Sequence, residues 1–200
     1  MRHRAPSMIM ALLAMTVLAC GGESESAASS VSSGNEANAE EARSPDPEAP
    51  SLLSVGTLAP DFSAPDQSGT PRDLASERGR PVVLYFYPRD ATPGCTVEAC
   101  AFRDAWSDYE SRGVTIFGVS VDDVASHRAF AEEHELPFPL IADVDQTITD
   151  AYGARATQGD VVYSRRVTYI IDGEGLIQHV FEDVDPGVHS EQVLAAVDAL

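Results

Sequence analysis

From residue 81 onward the apolar positions switch between two periods. Pro81-Val-Val-Leu-Tyr-Phe-Tyr87 is a continuous β-branched and aromatic run, the mark of a strand covered on both faces, and it predicts the central strand of a sheet. Val114 to Val121 predicts a second buried strand. Between them, after a Pro/Gly loop, residues 95–112 lack Pro and Gly and place Val97, Ala101, Ala105 and Tyr109 at helical spacing, with Gly113 as the stop. Val124 to Glu135 predicts another helix, Phe138 to Ile141 a short strand, and Thr147 to Tyr152 a short helix. Arg166 to Asp172 and Leu176 to Phe181, joined by Gly173-Glu-Gly175, predict a hairpin, followed by a last helix from about His189. Upstream, Asp61 to Gly69 and Arg72 to Leu74 predict two short strands around a Gly turn. This order indicates an α/β sheet covered on both sides, with no internal repeat.

The first 20 residues follow a different pattern. Two arginines precede an apolar run from Met8 to Ala19, interrupted only by Thr16, and Cys20 follows. A run of about 12 residues is too short to span a bilayer and matches a bacterial secretory leader. Val17-Leu18-Ala19-Cys20 resembles the lipobox of bacterial lipoproteins, which implies a signal peptide over 1–19 and lipidation of Cys20 as the new N-terminus. A plain leader cut near Ala19 is the alternative. Residues 21–50 are Gly, Ser, Glu, Ala, Asn and Pro in bulk, without an aromatic, so they hold too little apolar surface to offset ordering entropy. Residues 20–54 are expected to form a disordered acidic stalk reaching on the order of 30–37 Å. The folded domain is expected over 55–200, packed from near Leu58. The anchor places the chain in the cell envelope, lipid-anchored on the periplasmic or extracellular face of a membrane.

Charge narrows the function classes. Lys and Arg total 13 against 32 Asp and Glu, for a formal net charge of −19, and all the cations are Arg. A nucleic-acid binder displaces phosphate counterions with cations, so that class is disfavoured, as is a polybasic grip on anionic lipid. The three cysteines, Cys20, Cys95 and Cys100, are too few for a disulfide scaffold or a four-ligand zinc pattern. His127 and His134 share a helix face at i, i+7, too far apart for a compact site, so neither a metal nor another cofactor is expected.

The chemistry is expected in Tyr87-Pro-Arg-Asp-Ala-Thr-Pro-Gly-Cys95-Thr-Val-Glu-Ala-Cys100, which carries the central strand into the long helix. Active sites of such sheets lie where strand C-termini meet helix N-termini. A thiol in the first helical turn faces unpaired N–H groups and the positive dipole end, both of which favour thiolate, so Cys95 is placed to be a nucleophile. Cys100 lies beyond the reach of that effect. Five residues of ideal helix separate the two Cα atoms by roughly 8.7 Å, beyond the ~7 Å at which a disulfide closes without backbone movement. If they pair, the helix start unwinds. Inert buried thiols and a static disulfide in an already unwound helix stay open on this reading. Glu98 and Asp104 are expected on the helix surface, and Tyr85, Tyr87 and Trp106 in the core.

Pro88-x-x-x-Thr92-x-x-Cys95 resembles the active-site pattern of peroxiredoxins, and Thr-Pro-Gly-Cys-Thr-x-Glu-x-Cys resembles the bacterioferritin-comigratory-protein or peroxiredoxin Q branch. Similarity continues in Phe102-Arg-Asp104, Arg166 to Asp172 and His179-Val-Phe181, and covers the chain from about Val55. The resemblance implies a thioredoxin-like fold, a central mixed sheet with helices on both faces, and thiol-dependent reduction of hydrogen peroxide and organic hydroperoxides. It implies that Cys95 is the peroxidatic thiolate and that Thr92 positions it and the peroxide. Pro88 and Pro93 would shape and shield the loop. Arg166 would stabilise the thiolate and the departing oxygen, and Cys100 would resolve the sulfenic acid to an intramolecular disulfide. An external dithiol, thioredoxin-like or other, would then reduce that bond, and the domain is expected to be monomeric. Read without the family, Thr92 serves equally well as a helix or turn cap and Arg166 as a solvated strand-end cation beside Arg165.

Two features depart from the branch. Residues 153–166 lack the Trp- and Lys-containing loop it often carries, and the leader would remove the chain from cytosolic thioredoxin. Other readings are an exported thiol-disulfide oxidoreductase, which would usually carry Cys-x-x-Cys; a copper-delivery protein of thioredoxin fold; and a non-enzymatic stalked lipoprotein.

Overall fold

The computed structural model describes residues 51–200. The leader, Cys20 and nearly all of the expected stalk therefore lie outside the described residues. Packing begins ahead of the expected boundaries at 55 and 58. Leu52 and Leu53 pack against the core, and the Leu53 N–H donates to the Tyr169 hydroxyl at 3.3 Å. Two apolar side chains in an otherwise polar stretch suffice to dock it.

The strands β1 (Ser63–Pro65) and β2 (Pro71–Asp73) form a small antiparallel ribbon, and a 3-10 turn at Leu74–Glu77 leads into β3 (Val82–Phe86). After β3 come α1 (Pro93–Asp104), α2 (Trp106–Ser111), β4 (Thr115–Ser120), α3 (Val124–His134), β5 (Leu140–Ala142) and α4 (Thr147–Ala151). A hairpin of β6 (Arg155–Gln158) and β7 (Val161–Ser164), then β8 (Val167–Ile171), β9 (Ile177–Phe181) and α5 (His189–Val197), complete the domain. The main sheet has the order β5-β4-β3-β8-β9, with β3 parallel to β4 and antiparallel to β8.

Every residue of β3 is buried. Val83, Tyr85 and Tyr87 point into a core built with α1, α3 and α5, while Val82, Leu84 and Phe86 point into a second core with Phe117, Ile148, Tyr152 and Tyr169. Strict alternation into two apolar layers is the reason the segment reads as an unbroken hydrophobic run.

Three local expectations are corrected. The helix over 95–112 starts at Pro93 and breaks at Ala105 (φ −91°, ψ 6°), giving α1 and α2. Its buried stripe is Cys95, Glu98, Ala99 and Phe102 instead of the Val97 stripe, and Val97 is 49% exposed. The β6–β7 hairpin was not foreseen. It is a two-stranded ribbon with little buried surface, so it lacks the apolar alternation that marks a strand in sequence.

Tight packing at the middle of the sheet is testable. A Cβ on Gly118 would lie 2.6 Å from the Tyr85 hydroxyl and 2.8 Å from Leu140 Cδ2. Gly118→Ala should cost about 1–3 kcal/mol of stability in urea unfolding, as overpacked cores do.

Candidate active site

The loop after β3 delivers the first turn of α1 to the start of β8. Thr92, in extended conformation (φ −85°, ψ 147°), precedes the helix, Pro93 occupies its first position, and Cys95 follows within the first turn. Pro93 suits this place because its missing N–H would be unpaired there and its φ is preset. The Thr96 N–H donates to the Thr92 carbonyl at 2.9 Å, closing the first helical bond. Within the loop Ala91 adopts φ 55°, a left-handed conformation that costs a residue with a Cβ about 1 kcal/mol.

Cys95 is buried, 1% exposed, and its Sγ accepts a hydrogen bond from Arg166 Nη2 at 3.2 Å. Arg166 sits just before β8, whose antiparallel register with β3 brings it opposite the loop. Gly94 eases the approach, since a Cβ there would stand a tight 3.2 Å from Arg166 Nη2. The other arm of the guanidinium, Nη1, donates to Glu98 Oε2. The guanidinium thus sets a permanent positive charge and a fixed donor against the sulfur.

Glu98 is fully buried, a correction to the expected helix-surface position. Three residues after Cys95 it falls on the same inward face of α1, and its second oxygen, Oε1, lies 4.0 Å from His189 Nε2 with no hydrogen-bond partner. The position had a signal in the sequence: any helix that buries Cys95, Ala99 and Phe102 also buries residue 98. Burial pushes the Glu98 carboxyl up to about 7, against the charge and hydrogen bond of Arg166. Burial, aided by the Arg166 charge, pushes His189 down to about 4. His189 Nε2 shares a hydrogen bond with Thr168 Oγ1 at 2.8 Å.

The remaining expected residues fall as follows. The Thr92 hydroxyl donates to the Arg89 carbonyl at 3.1 Å, a turn-closing bond that leaves its oxygen able to accept. Pro88 is half-buried and Pro93 exposed, at either end of the loop. Arg165 is half-buried, as Arg166 is, but its backbone N–H is tied to the Ala154 carbonyl at 2.6 Å and its side chain makes no hydrogen bond to the described residues. Cys100 is half-buried, and both thiols are free within the unbroken α1. Tyr85 and Tyr87 are buried as expected, Trp106 packs at the core's margin, and His127 is buried on α3. A cavity of about 690 Å³ lined by Phe62, Pro65, Asp143, Val144, Ile148 and Tyr152 lies elsewhere and holds no thiol or cation, so the chemistry is assigned to the Cys95–Arg166 contact.

The AhpC/TSA family model matches residues 55–180 of the chain. A chloroplastic peroxiredoxin Q from Triticum aestivum is 38% identical over 149 residues, spanning 74% of this chain and 68% of that protein. The crystal structure of peroxidoxin BcpB from Mycobacterium tuberculosis is similar with TM-score 0.70 and 33% identity, over 74% of this chain and 98% of that one. The bacterioferritin comigratory protein of Xanthomonas campestris, whose structures concern its alkyl peroxide reduction activity, is similar with TM-score 0.66 and 31% identity, over 69% of this chain and 90% of that one.

Glu98 and His189 should leave opposite marks on stability. An unfolded Glu titrates near 4.5 and the folded one near 7, so across that window the folded state holds a proton the unfolded state has lost, and stability falls as pH rises. For His189 the unfolded state holds the extra proton between about 4 and 6.5, and stability rises with pH. In urea unfolding from pH 5 to 7, Glu98→Gln should therefore gain on the wild type and His189→Asn should lose on it, each by up to about 2 kcal/mol.

Proposed function

The chain belongs to the AhpC/TSA family, in its peroxiredoxin Q and bacterioferritin-comigratory branch, and is a thiol-dependent peroxidase of thioredoxin-like fold; on that premise we propose how its residues divide the work. The observation that carries the assignment is the Arg166 guanidinium in hydrogen-bond contact with a buried sulfur at a helix start.

The Cys95 thiolate attacks the terminal oxygen of a hydroperoxide. An S–O bond forms as the O–O bond breaks, the transferred OH oxidises sulfur to sulfenic acid, and the alkoxide or hydroxide leaves and takes a proton from water to become alcohol or water. Arg166 holds the thiolate before attack and the developing charge during it. The Thr92 hydroxyl, oriented by its bond to Arg89, accepts from and positions the peroxide, and Pro88 and Pro93 keep bulk water from the loop. Hydrogen peroxide and organic hydroperoxides are the proposed substrates.

Cys100 then attacks the sulfenic sulfur, expelling water and forming a disulfide. Both cysteines lie in one intact helix, so this step requires the first turns of α1 to unwind. An external dithiol, thioredoxin-like or another, reduces the bond and returns the helix.

The leader, the stalk over 20–54 and lipidation of Cys20 complete the reading as proposals from the sequence: an envelope peroxidase held by a lipid anchor, acting as a monomer. Metabolic labelling with a radioactive fatty acid should mark the full chain and fail with Cys20→Ala. Labelling that persists in the variant removes the anchor.

Stopped-flow mixing of the reduced domain with peroxide should show rapid oxidation, abolished by Cys95→Ser. Cys100→Ser should permit one turnover and then stall, with the disulfide absent by mass spectrometry. Arg166→Ala should slow oxidation at least tenfold, the order of losing one transition-state donor, while Arg165→Ala leaves it unchanged. Turnover in Cys95→Ser would overturn the assignment, and equal effects at 165 and 166 would overturn the role of Arg166.

A further inference from the structure

Two residues before Thr92 the chain carries a buried carboxylate for which the peroxide chemistry has no direct use. Asp90 is 7% exposed. Its Oδ1 accepts from the Tyr87 hydroxyl at 2.7 Å, and its Oδ2 accepts from Ser126 Oγ at 2.7 Å and lies 2.9 Å from His127 Nδ1. The backbone is held as well. The Asp90 N–H donates to Asp122 Oδ2 at 2.9 Å, and that same oxygen accepts from Ser120 Oγ at 2.7 Å. One loop residue is thereby tied to the end of β3, the end of β4 and the first turns of α3.

His127, with no exposed surface, is at the centre of this cluster. Its Nδ1 faces the Asp90 carboxylate, and its Nε2 lies 3.1 Å from the carbonyl of Ile141 in β5. The Tyr87 hydroxyl also lies 3.4 Å from Nδ1, so the buried ring bridges the loop at Asp90 to β5 through both of its nitrogens. Burial raises the Asp90 carboxyl, and its bonds and charge contact with His127, with the bonds from Ser126 and Tyr87, outweigh that and leave it below the usual carboxylate range. A polar contact enclosed this way is costly to break from either side, because the surviving partner stays buried with a hydrogen-bonding group unpaired.

The next residue, Ala91, stands in the left-handed region at φ 55°, and Thr92 then opens the helix. A strained link between a fixed point and a helix start persists only while its surroundings hold it. We propose that Asp90 and His127 are positioning residues for the peroxide reaction: the clamp holds the left-handed turn at Ala91 and so sets the first turn of α1, with Cys95, against Arg166. The same clamp opposes the unwinding that brings Cys95 to Cys100. Its loss therefore acts on the two chemical steps in opposite senses, slowing sulfenic acid formation and leaving disulfide formation as fast or faster.

This inference rests on the peroxidase reading of Cys95, and one experiment separates the two. Reduced wild-type protein, Asp90→Asn, His127→Gln and the double variant are mixed with hydrogen peroxide in rapid quench. Sulfenic acid, trapped by a 1,3-dione, and the Cys95–Cys100 disulfide are then counted by mass spectrometry. Asp143→Asn serves as a control for plain loss of a buried carboxylate, since Asp143 is 1% exposed and caps α4 through the N–H groups of Ile148 and Thr149. Each clamp variant is expected to lower the oxidation rate at least tenfold without slowing the disulfide step, and the double variant to be no worse than the worse single one, because both remove one pair. Asp143→Asn should oxidise at the wild-type rate. Ser126→Ala, which strips one hydrogen bond and keeps both Asp90 and His127, covers a clamp variant that does not fold and should slow oxidation two- to fivefold.

Wild-type oxidation rates in the clamp variants, or both steps slowed in parallel and matched by Asp143→Asn, would overturn the clamp. A wild-type Cys95 inert to peroxide would instead overturn the peroxidase reading.

Discussion

A guanidinium shared between a sulfur and a carboxylate is the contact on which the site depends. Arg166 bonds Cys95 Sγ with one arm and Glu98 with the other, and Cys95 and Glu98 are both buried. An arginine cannot shed its proton to escape an apolar setting, so it needs hydrogen-bond acceptors, and Glu98 supplies one that stays in place whatever the state of the sulfur. The arrangement also makes sense of sheet order. With β8 beside β3 and antiparallel to it, the start of one strand lies at the end of the other, and residue 166 meets a loop some 70 positions away.

Proposed turnover places two demands on the start of α1 that pull against each other. Attack on peroxide needs Cys95 motionless against Arg166, whereas disulfide closure needs the same turn to come apart. The structure divides these demands between neighbouring segments. Downstream, Glu98, Ala99 and Phe102 bury α1 against the sheet, while the first turn has a strained alanine before it and a glycine within it. Opening that turn gives up the buried Cys95 contacts, and release of the strained link at Ala91 offsets part of that cost.

Sequence periodicity determined the central strand, the order of the other main elements and the position of Cys95 at a helix start, because each rests on local information: a doubly buried strand shows as an unbroken apolar run, and a Pro-Gly pair marks the turn into a helix. The motif beside it pointed to the thiol, and the family relationship bears out the peroxidase. Glu98 was misread because a charged residue on a helix is solvated by default, and only a partner from just ahead of β8 makes its burial tolerable. Between Arg165 and Arg166 no local feature chooses, since neighbouring strand-end residues differ only in which side of the sheet they meet. Asp90 and His127 are 37 residues apart, and nothing in either segment announces the other. Tertiary structure alone decided these charge pairings, for a buried charge is defined by what the fold brings against it, whereas an apolar period is written in the chain before it folds.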